Sequence, residues 1–494
     1  MAELPAEIYS AQQVRDLDRV AIEGQGIPAY ELMCRAGAAA LACIERDWPD
    51  VEGLTILCGA GNNAGDGYVL ARLAAAAGLR IRVIAISSPE NLTGAAANAW
   101  SDLQAAGGSI EPFAGGVIFD DDLIVDALLG TGLQRDLGGD YLAVVEAINA
   151  APNPVLALDM PTGLEADSGM PMADAVQADV TISFVGLNSG LFLGLAPDYC
   201  GKLEFSDLDI PREVYRGSEY VLERLTSGVL REVLPPRRAS SHKRSHGSLL
   251  LIGGSNGMAG AILLAGEAAL RAGAGLVRVA THASSTAAVV AARPELMTLA
   301  VSEPSDLDEA IESADAIVIG PGLGQTAWAR GLMERALASD LPVVLDADGL
   351  NLLAKQPAAR GNWILTPHPG EAARLLQCDV ATIQRDRMQA AIDLSDRYAA
   401  AVVLKGASSL VAAPGEAPVA VCDRGNPGMA TAGMGDVLAG VAGALRVQTG
   451  DNRLSMRAAV LLHALAGDAA VTDGQRGLVA RDLMPHIRRY ANPI

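Results

Sequence analysis

The chain has 494 residues, half of them apolar and only 4% aromatic, with 53 glycines. That length exceeds what one hydrophobic core supports, so two domains are expected, and the composition excludes a disordered chain. A formal net charge of −21 argues against nucleic acid as a partner.

With so acidic a surface, any phosphate-bearing ligand must be held by backbone amides and a few local cations. Cys34, Cys43, Cys58, Cys200, Cys378 and Cys422 are scattered with no C-x-x-C pair, which suggests neither a zinc site nor a disulfide framework. Met1 to Ser10 lack the basic and apolar regions of a signal peptide, and the Ala-rich runs are interrupted well short of a membrane span. A cytoplasmic protein with no membrane contact is expected.

Residues Ala11 to Asp47 read as helical, with Val14, Leu17, Val20 and Ala21 on one stripe and Leu32 to Ile44 continuing it. The short buried strand Leu54 to Cys58 leads into Gly59-Ala-Gly-Asn-Asn-Ala-Gly-Asp-Gly67 and a helix from Tyr68 to Ala77. Strand, glycine turn and helix form the phosphate-binding arrangement of nucleotide folds. The next strand, Ile81 to Ile86, ends in Ser87-Ser88, where a dinucleotide fold would carry an acidic ribose partner. An ordinary dehydrogenase is therefore disfavoured. The two Asn and Asp66 are either Asx-turn residues or ligand groups.

The alternation continues. Leu123 to Asp126 precedes Ala-Leu-Leu-Gly-Thr-Gly132, and Val155 to Asp159 precedes Met-Pro-Thr-Gly163. Three strands thus end in polar, Gly-rich turns, where ligands of parallel sheets bind, and this favours Asp126 and Asp159 as ligand groups rather than caps. Ala178 to Val185 and Lys202 to Ile210 close the first sheet. Pro211 to Ser245 reads as a linker whose basic run, Arg237-Arg238 to His242-Lys243-Arg244, is either a solvated patch or a phosphate contact.

A second alternation starts at Ser248 to Ile252, followed by Gly253 to Gly260 and a helix through Ala272. Strands at Val277 to Ala280, Ala316 to Ile319, Pro342 to Asp346, Ile364 to Thr366 and Ala401 to Lys405 follow. Helices are expected at Ala458 to Asp473 and Leu478 to Tyr490. His368 stands between two prolines after a strand, which favours a ligand contact over a turn role. His463 reads as a packed helical residue. In Gly425 to Gly440, glycines run into the helical pattern Val437, Leu438, Val441, Leu445. Bare amides at such a helix mouth suit an anion. Asp436 beside them is either a helix cap or a general base.

The residues Asn62 to Gly67, Asp126 with Gly130-Thr-Gly132, and Asp159-Met-Pro-Thr-Gly163 resemble the NAD(P)H-hydrate epimerase domain. Gly320-Pro-Gly-Leu-Gly324, Thr366-Pro-His-Pro-Gly-Glu371, Leu404-Lys-Gly406 and Ala432-Gly-Met-Gly-Asp436 resemble the NAD(P)H-hydrate dehydratase domain of the ribokinase-like superfamily. In this order they resemble the bifunctional nicotinamide-hydrate repair family over nearly the whole chain. The resemblance implies an α/β fold of two consecutive three-layer domains. Residues 1–220 would form a Rossmann-like epimerase domain and 221–494 a ribokinase-like dehydratase domain. The first would interconvert the R and S forms of NADHX and NADPHX. The second would dehydrate the S form with ADP as phosphoryl donor and magnesium on its phosphates, releasing AMP and phosphate.

The resemblance also assigns residues. Asn62, Asn63, Ala64, Gly65 and Asp66, with Gly130, Thr131, Gly132, Leu133, Gln134, Arg135 and Asp136, would cradle the damaged dinucleotide. Asn63, Asp126 and Thr162 would coordinate potassium, and Asp159 would transfer the proton at the epimerised centre. Ala261, Gly324, His368 and Asp436 would hold the hydrate, with Asp436 as base. Lys405, Gly406, Ala407, Ser408, Ser409 and Gly435 would hold ADP. A homo-oligomer is expected. The alternative function is a ribokinase-like small-molecule kinase fused to a nucleotide-binding domain.

Overall fold

The computed structural model describes residues 4–116, 119–415 and 417–493. The chain divides into two compact units, Met1–Leu222 and Glu223–Ile494. Among the described residues no helix is long and apolar enough to cross a membrane.

The first unit is built on seven strands: β1 (Gly53–Cys58), β2 (Arg80–Ala85), β3 (Ile110–Pro112), β4 (Leu123–Ala127), β5 (Val155–Leu158), β6 (Val180–Phe184) and β7 (Lys202–Ser206). Every pairing is parallel, in the order β3-β2-β1-β4-β5-β6-β7. The chain direction across the sheet reverses between β1 and β4, which is where ligands of such folds bind. Helices α1 (Ala11–Arg19), α2 (Ala29–Asp47), α3 (Asn62–Ala76), α4 (Gly94–Ala105) and α5 (Asp140–Ala150) cover the sheet. Side chains alternate across a strand. Leu54, Ile56 and Cys58 of β1 therefore join one core with Met33, Val69, Leu70 and Leu103, whereas Leu57 joins another with Val144, Val145 and Ile148 of α5. These are the three layers expected.

Two boundaries differ from the sequence reading. The helical stretch from Ala11 breaks after a π-helical turn at Val20–Gly24, because Gly26 takes a φ of +71° and Pro28 precedes the second helix. The turn after β1 is only three residues long: Gly61, at φ +116°, reverses the chain, and helix α3 already starts at Asn62 rather than Tyr68. Asn62, Asn63 and Asp66 are consequently helix-terminal residues and not turn residues.

The second unit carries β8 (Ser248–Ile252), β9 (Leu276–Thr281), β10 (Met297–Ala300), β11 (Ala316–Ile319), β12 (Val343–Leu345), β13 (Trp363–Leu365), β14 (Ala401–Leu404), β15 (Ser409–Ala412) and β16 (Val419–Cys422). Their order is β10-β9-β8-β11-β12-β13-β14-β15-β16. The sheet is parallel through β14, and β15 and β16 extend it antiparallel. Helices α6 (Ala259–Arg271), α7 (Pro369–Leu376), α8 (Arg387–Tyr398), α9 (Met434–Thr449) and α10 (Asn452–Ala469) position the residues of interest. α10 starts earlier than its apolar pattern suggests because Asp451 accepts a capping bond from the Leu454 N–H at 2.8 Å. The expected linker is partly core: Gly228–Val233 is helical, and Leu230 and Val233 are buried with the second unit's apolar residues.

Small residues bring α6 and α9 together. A Cβ on Gly440 would lie 2.0 Å from the Ala265 carbonyl oxygen, and one on Gly443 would lie 2.4 Å from Val318 Cγ2. No substituent fits at 440 without moving backbone, so Gly440→Ala should lower stability by about 2 kcal/mol or more. A fall in the urea midpoint followed by circular dichroism checks this; an unchanged midpoint would mean that the helices separate freely.

Two candidate active sites

The first site lies at the carboxyl ends of the adjacent strands β1, β4 and β5. Asp126, fully buried at the end of β4, ties two loops together. Its Oδ1 accepts from the Leu128 N–H at 3.1 Å and the Thr162 hydroxyl at 2.8 Å, and its Oδ2 accepts from the Thr162 N–H at 2.7 Å. Thr162 Oγ1 in turn accepts from the Leu129 N–H at 2.9 Å. Burial pushes Asp126 up to about 6 even though these bonds favour its charged form.

Asp159 follows β5 in the left-handed region, at φ +66°. Its N–H donates to the Ile182 carbonyl at 2.8 Å, and its Oδ2 accepts from the Thr131 N–H at 3.2 Å. A Cβ on Gly130 would come within 2.4 Å of that oxygen, so a glycine is needed for the loop to approach. Burial raises Asp159 to about 6, against the pull of the Thr131 bond. Two more carboxylates share its field. Burial and then the charge of Asp159 raise Asp18 to about 7, and burial with the charges of Asp159 and Asp18 raises Asp66 well above the ordinary range. Asp18, on α1, was missed by sequence reasoning; the signal was an acid four residues after Val14 and next to Leu17, at the edge of the helix's apolar stripe.

Asn63 is 8% exposed, yet neither its amide nitrogen nor its carbonyl oxygen has a partner among the described residues. A buried amide left this way costs about 1–3 kcal/mol, so a water or a ligand is the partner such a group calls for. Asn63 Oδ1, the Asp126 carboxylate and the Thr162 hydroxyl are hard oxygen donors of the kind alkali and alkaline-earth cations take, and both Asp126 oxygens already accept from Leu128 and Thr162. Ala64 and Gly65 are packed away, Gly65 against Met33, while Gly132, Gln134, Arg135 and Asp136 lie exposed in the loop after β4.

The second site gathers at the carboxyl ends of β8 and β11 to β14. The loops after β8 and β11 are bonded to each other: Gly254 N–H donates to the Pro321 carbonyl at 3.0 Å and Ser255 N–H to the Gly322 carbonyl at 2.7 Å. This brings Ala261 of α6 beside Gly322, and Gly324 beside Ser255. Helix α9 starts at Gly433, at φ +89°, and no side chain caps it. The carboxylate of Asp436 stands in the first turn of this helix, and the N-cap position itself is the glycine. Burial and then the nearby charge of Asp346 raise it to about 7, and Lys405 pulls it back.

Lys405 is the hub. Its Nζ lies 2.9 Å from Asp346 Oδ1 and 3.9 Å from Glu371 Oε2, and a Cβ on Gly435 would lie 3.2 Å from it. Burial pulls the Lys405 ammonium down, but Asp346, Glu371 and Asp436 outweigh it and hold it above its usual value. Thr366 Oγ1 donates to Asp346 Oδ1 at 2.8 Å. Burial raises Glu371 to about 7. Glu371 accepts from the His368 N–H at 2.9 Å, while His368 Nδ1 accepts from the Gly370 N–H at 3.0 Å, so the two cap α7 reciprocally. Asp346 ends one expected strand and Glu371 closes the Thr366 to Glu371 turn, and nothing in their separate positions along the chain shows that one lysine joins them. His463 is packed, as expected; burial drops it to about 4, and its ring lies at the backbone of Met434, beneath the turn that carries Asp436.

The segment after β14 is held from behind. The guanidinium of Arg387, on α8, donates to the carbonyls of Ser408 at 2.9 Å, Lys405 at 3.3 Å and Leu404 at 3.4 Å. Gly406 and Ala407 are exposed, Ser409 is half-buried, and Ser408 is buried. The exposed part of this loop is thus Gly406 and Ala407, with the Gly406 N–H donating to Ser409 Oγ at 3.4 Å. Among the described residues no group of three His, Cys, Asp or Glu is placed to cage a metal ion.

Fold and sites together define the class: an α/β enzyme with a Rossmann-like unit followed by a ribokinase-like unit. Residues 249–489 match the family described as NAD(P)H-hydrate dehydratase, and residues 29–190 match the YjeF-related protein N-terminus. The chain is 45% identical to a bifunctional NAD(P)H-hydrate repair enzyme from Coxiella burnetii, over 98% of this chain and 99% of that one. It is 43% identical to the Escherichia coli enzyme of the same name, over 99% and 95%. A ribokinase-like superfamily structure from Enterococcus faecalis, 29% identical with a TM-score of 0.51, covers 55% of this chain and 97% of its own. The chain belongs to the bifunctional NAD(P)H-hydrate repair enzymes, with an epimerase and a dehydratase domain.

Because the folded chain holds the Asp436 proton more tightly than an unfolded one, ionising this acid costs stability as pH rises through about 7. Asp436→Asn should therefore melt higher than the parent at about pH 8, by roughly 2–4 °C for each kcal/mol released. The gap should close below the ordinary carboxylate value of 3.8. Melting curves at both pH values check it; a gap independent of pH would mean that the acid is not held protonated.

Proposed function

We propose that the dehydratase site transfers the terminal phosphoryl group of ADP to the hydroxyl on the hydrated nicotinamide ring, and that Asp436 is the base. The hydroxyl proton passes to Asp436, the new P–O bond forms, and the bond to AMP breaks. The ring nitrogen then expels phosphate with its electron pair, and loss of the neighbouring ring proton restores the dihydronicotinamide. Amides at the start of α9 receive the phosphoryl oxygens, and those of Gly406 to Ser409 receive the donor's phosphates. Lys405, steadied by Asp346, supplies the local positive charge. Ala261, Gly324 and His368 line the side that takes the hydrate. Magnesium bound to the donor would neutralise its phosphates; the described residues offer it no ready cage, and no step here depends on protein ligands to it.

The observation that carries this reading is Asp436: uncapping, beside a lysine, and titrating near neutrality. Its ionised form is the active one, so kcat/KM for dehydration should rise with pH through about 7 and then level. Asp436→Asn should lower turnover by roughly a thousandfold or more while ADP still binds. Hydrated NADH mixed with ADP, followed by dihydronicotinamide absorbance and titration calorimetry, tests both; turnover close to the parent's would remove Asp436 as base.

In the epimerase site, Asp159 is the proton-transfer group, with Asp18 and Asp66 in its field. Potassium on Asn63, Asp126 and Thr162 would take the otherwise unpartnered Asn63 carbonyl oxygen and fix the two loops that Asp126 joins. Asp159→Ala should stop epimerisation yet leave dehydration of pure S hydrate unchanged. Chiral chromatography of the remaining hydrate reads the first result and absorbance recovery the second; equal loss of both would break the two-site assignment.

A further inference from the structure

The basic run that the catalytic chemistry leaves unused lines a groove of about 1110 Å³ in the second unit. Arg237, Arg238, Arg271, Arg488, His242 and His246 reach it, and none of the described residues lining it is acidic. In a chain of net charge −21 such a concentration of cations is not a random sample of the surface. Burial, and after it the charges of Arg237 and His242, hold His246 below its usual value. Arg237 is engaged, donating to the Gly273 carbonyl at 2.5 Å and to Gln448 Oε1 at 3.4 Å, so it shapes the floor. Arg238, Arg271 and Arg488 meet no carboxylate among the described residues.

The remaining lining narrows the ligand. Hydroxyls of Ser240, Ser241 and Ser245 sit among the guanidiniums, a mixture that matches phosphate oxygens, while Val233, Leu234 and Leu270 add an apolar wall. The place is also informative. Ser245 and His246 immediately precede β8, and Gly273 precedes β9, so the groove opens at the amino end of β8, whose carboxyl end belongs to the dehydratase site. Two helices join the two edges: α6 runs from Ala261 to Arg271, and α9 from Asp436 to Gln448.

We propose that this groove is a second anion site, separate from the catalytic one, that takes a nucleotide-type diphosphate. The phosphates lie on Arg238, Arg271 and Arg488, and the ribose or base lies against Leu234 and Leu270. Equilibrium dialysis of ADP against the full chain at about 0.15 M salt, where loose surface attraction is screened, tests it. The combined variant Arg238→Ala, Arg271→Ala, Arg488→Ala should bind one ADP fewer per chain than the parent, with an unchanged circular dichroism spectrum. This difference is independent of whether ADP also occupies the catalytic site. The matching Lys variant, which keeps charge but loses the planar fork, should weaken that same site by about tenfold. Equal ADP counts in parent and Ala variant overturn the proposal. Equal counts together with a smaller particle by light scattering in the Ala variant would assign the groove to contact with another protein surface instead.

Discussion

Lys405 and Asp346, joined at 2.9 Å, set the electrostatics on which the dehydratase site depends. Around them lie Glu371 and Asp436, so one ammonium faces three carboxyl groups. One cation offsets one anion, and burial discourages the other two from ionising; hence Glu371 and Asp436 are both brought to about 7. A buried ion pair of this kind contributes little net stability, because desolvation consumes most of its attraction. Its value lies in holding a proton acceptor at the threshold of ionisation beside bare helix amides.

In the epimerase site no cation among the described residues acts on the three clustered carboxyl groups Asp18, Asp66 and Asp159. Burial raises Asp159, whose charge in turn raises Asp18 and Asp66, and Asp126 is held by its bonds to Thr162 and Leu128. Asn63 completes the picture as an amide with no hydrogen-bond partner among the described residues. Both sites thus keep polar groups under local disadvantage, the usual mark of residues retained for chemistry.

Much of this was legible in the sequence because glycine and aspartate punctuate the strand ends. The three turns after β1, β4 and β5, and the entry to α9, announced themselves as breaks between apolar runs. The start of α3 was misjudged because helix and turn share the same residues there: Asn and Gly disfavour a helix interior but serve its first turn well. Lys405 invited a direct phosphate role, whereas its partners Asp346 and Glu371 come from separate strands and a helix, and no local pattern records that meeting. Arg387 was equally silent. It lies on α8, and only the fold shows that its guanidinium grips the loop after β14 from the rear. Asp18 belongs to a helix well before the sheet, so its approach to Asp159 is likewise a tertiary fact.

The cores of the first unit draw on residues no later than Tyr220. During synthesis, then, everything that its layers bury has left the ribosome while the second unit is still being translated. At the usual pace of about 5–20 residues per second, that head start lasts tens of seconds, which matters for a parallel sheet whose long-range pairings form slowly. Vectorial synthesis therefore lets the amino-terminal half settle before the similarly patterned strands of the other half can compete for its sheet.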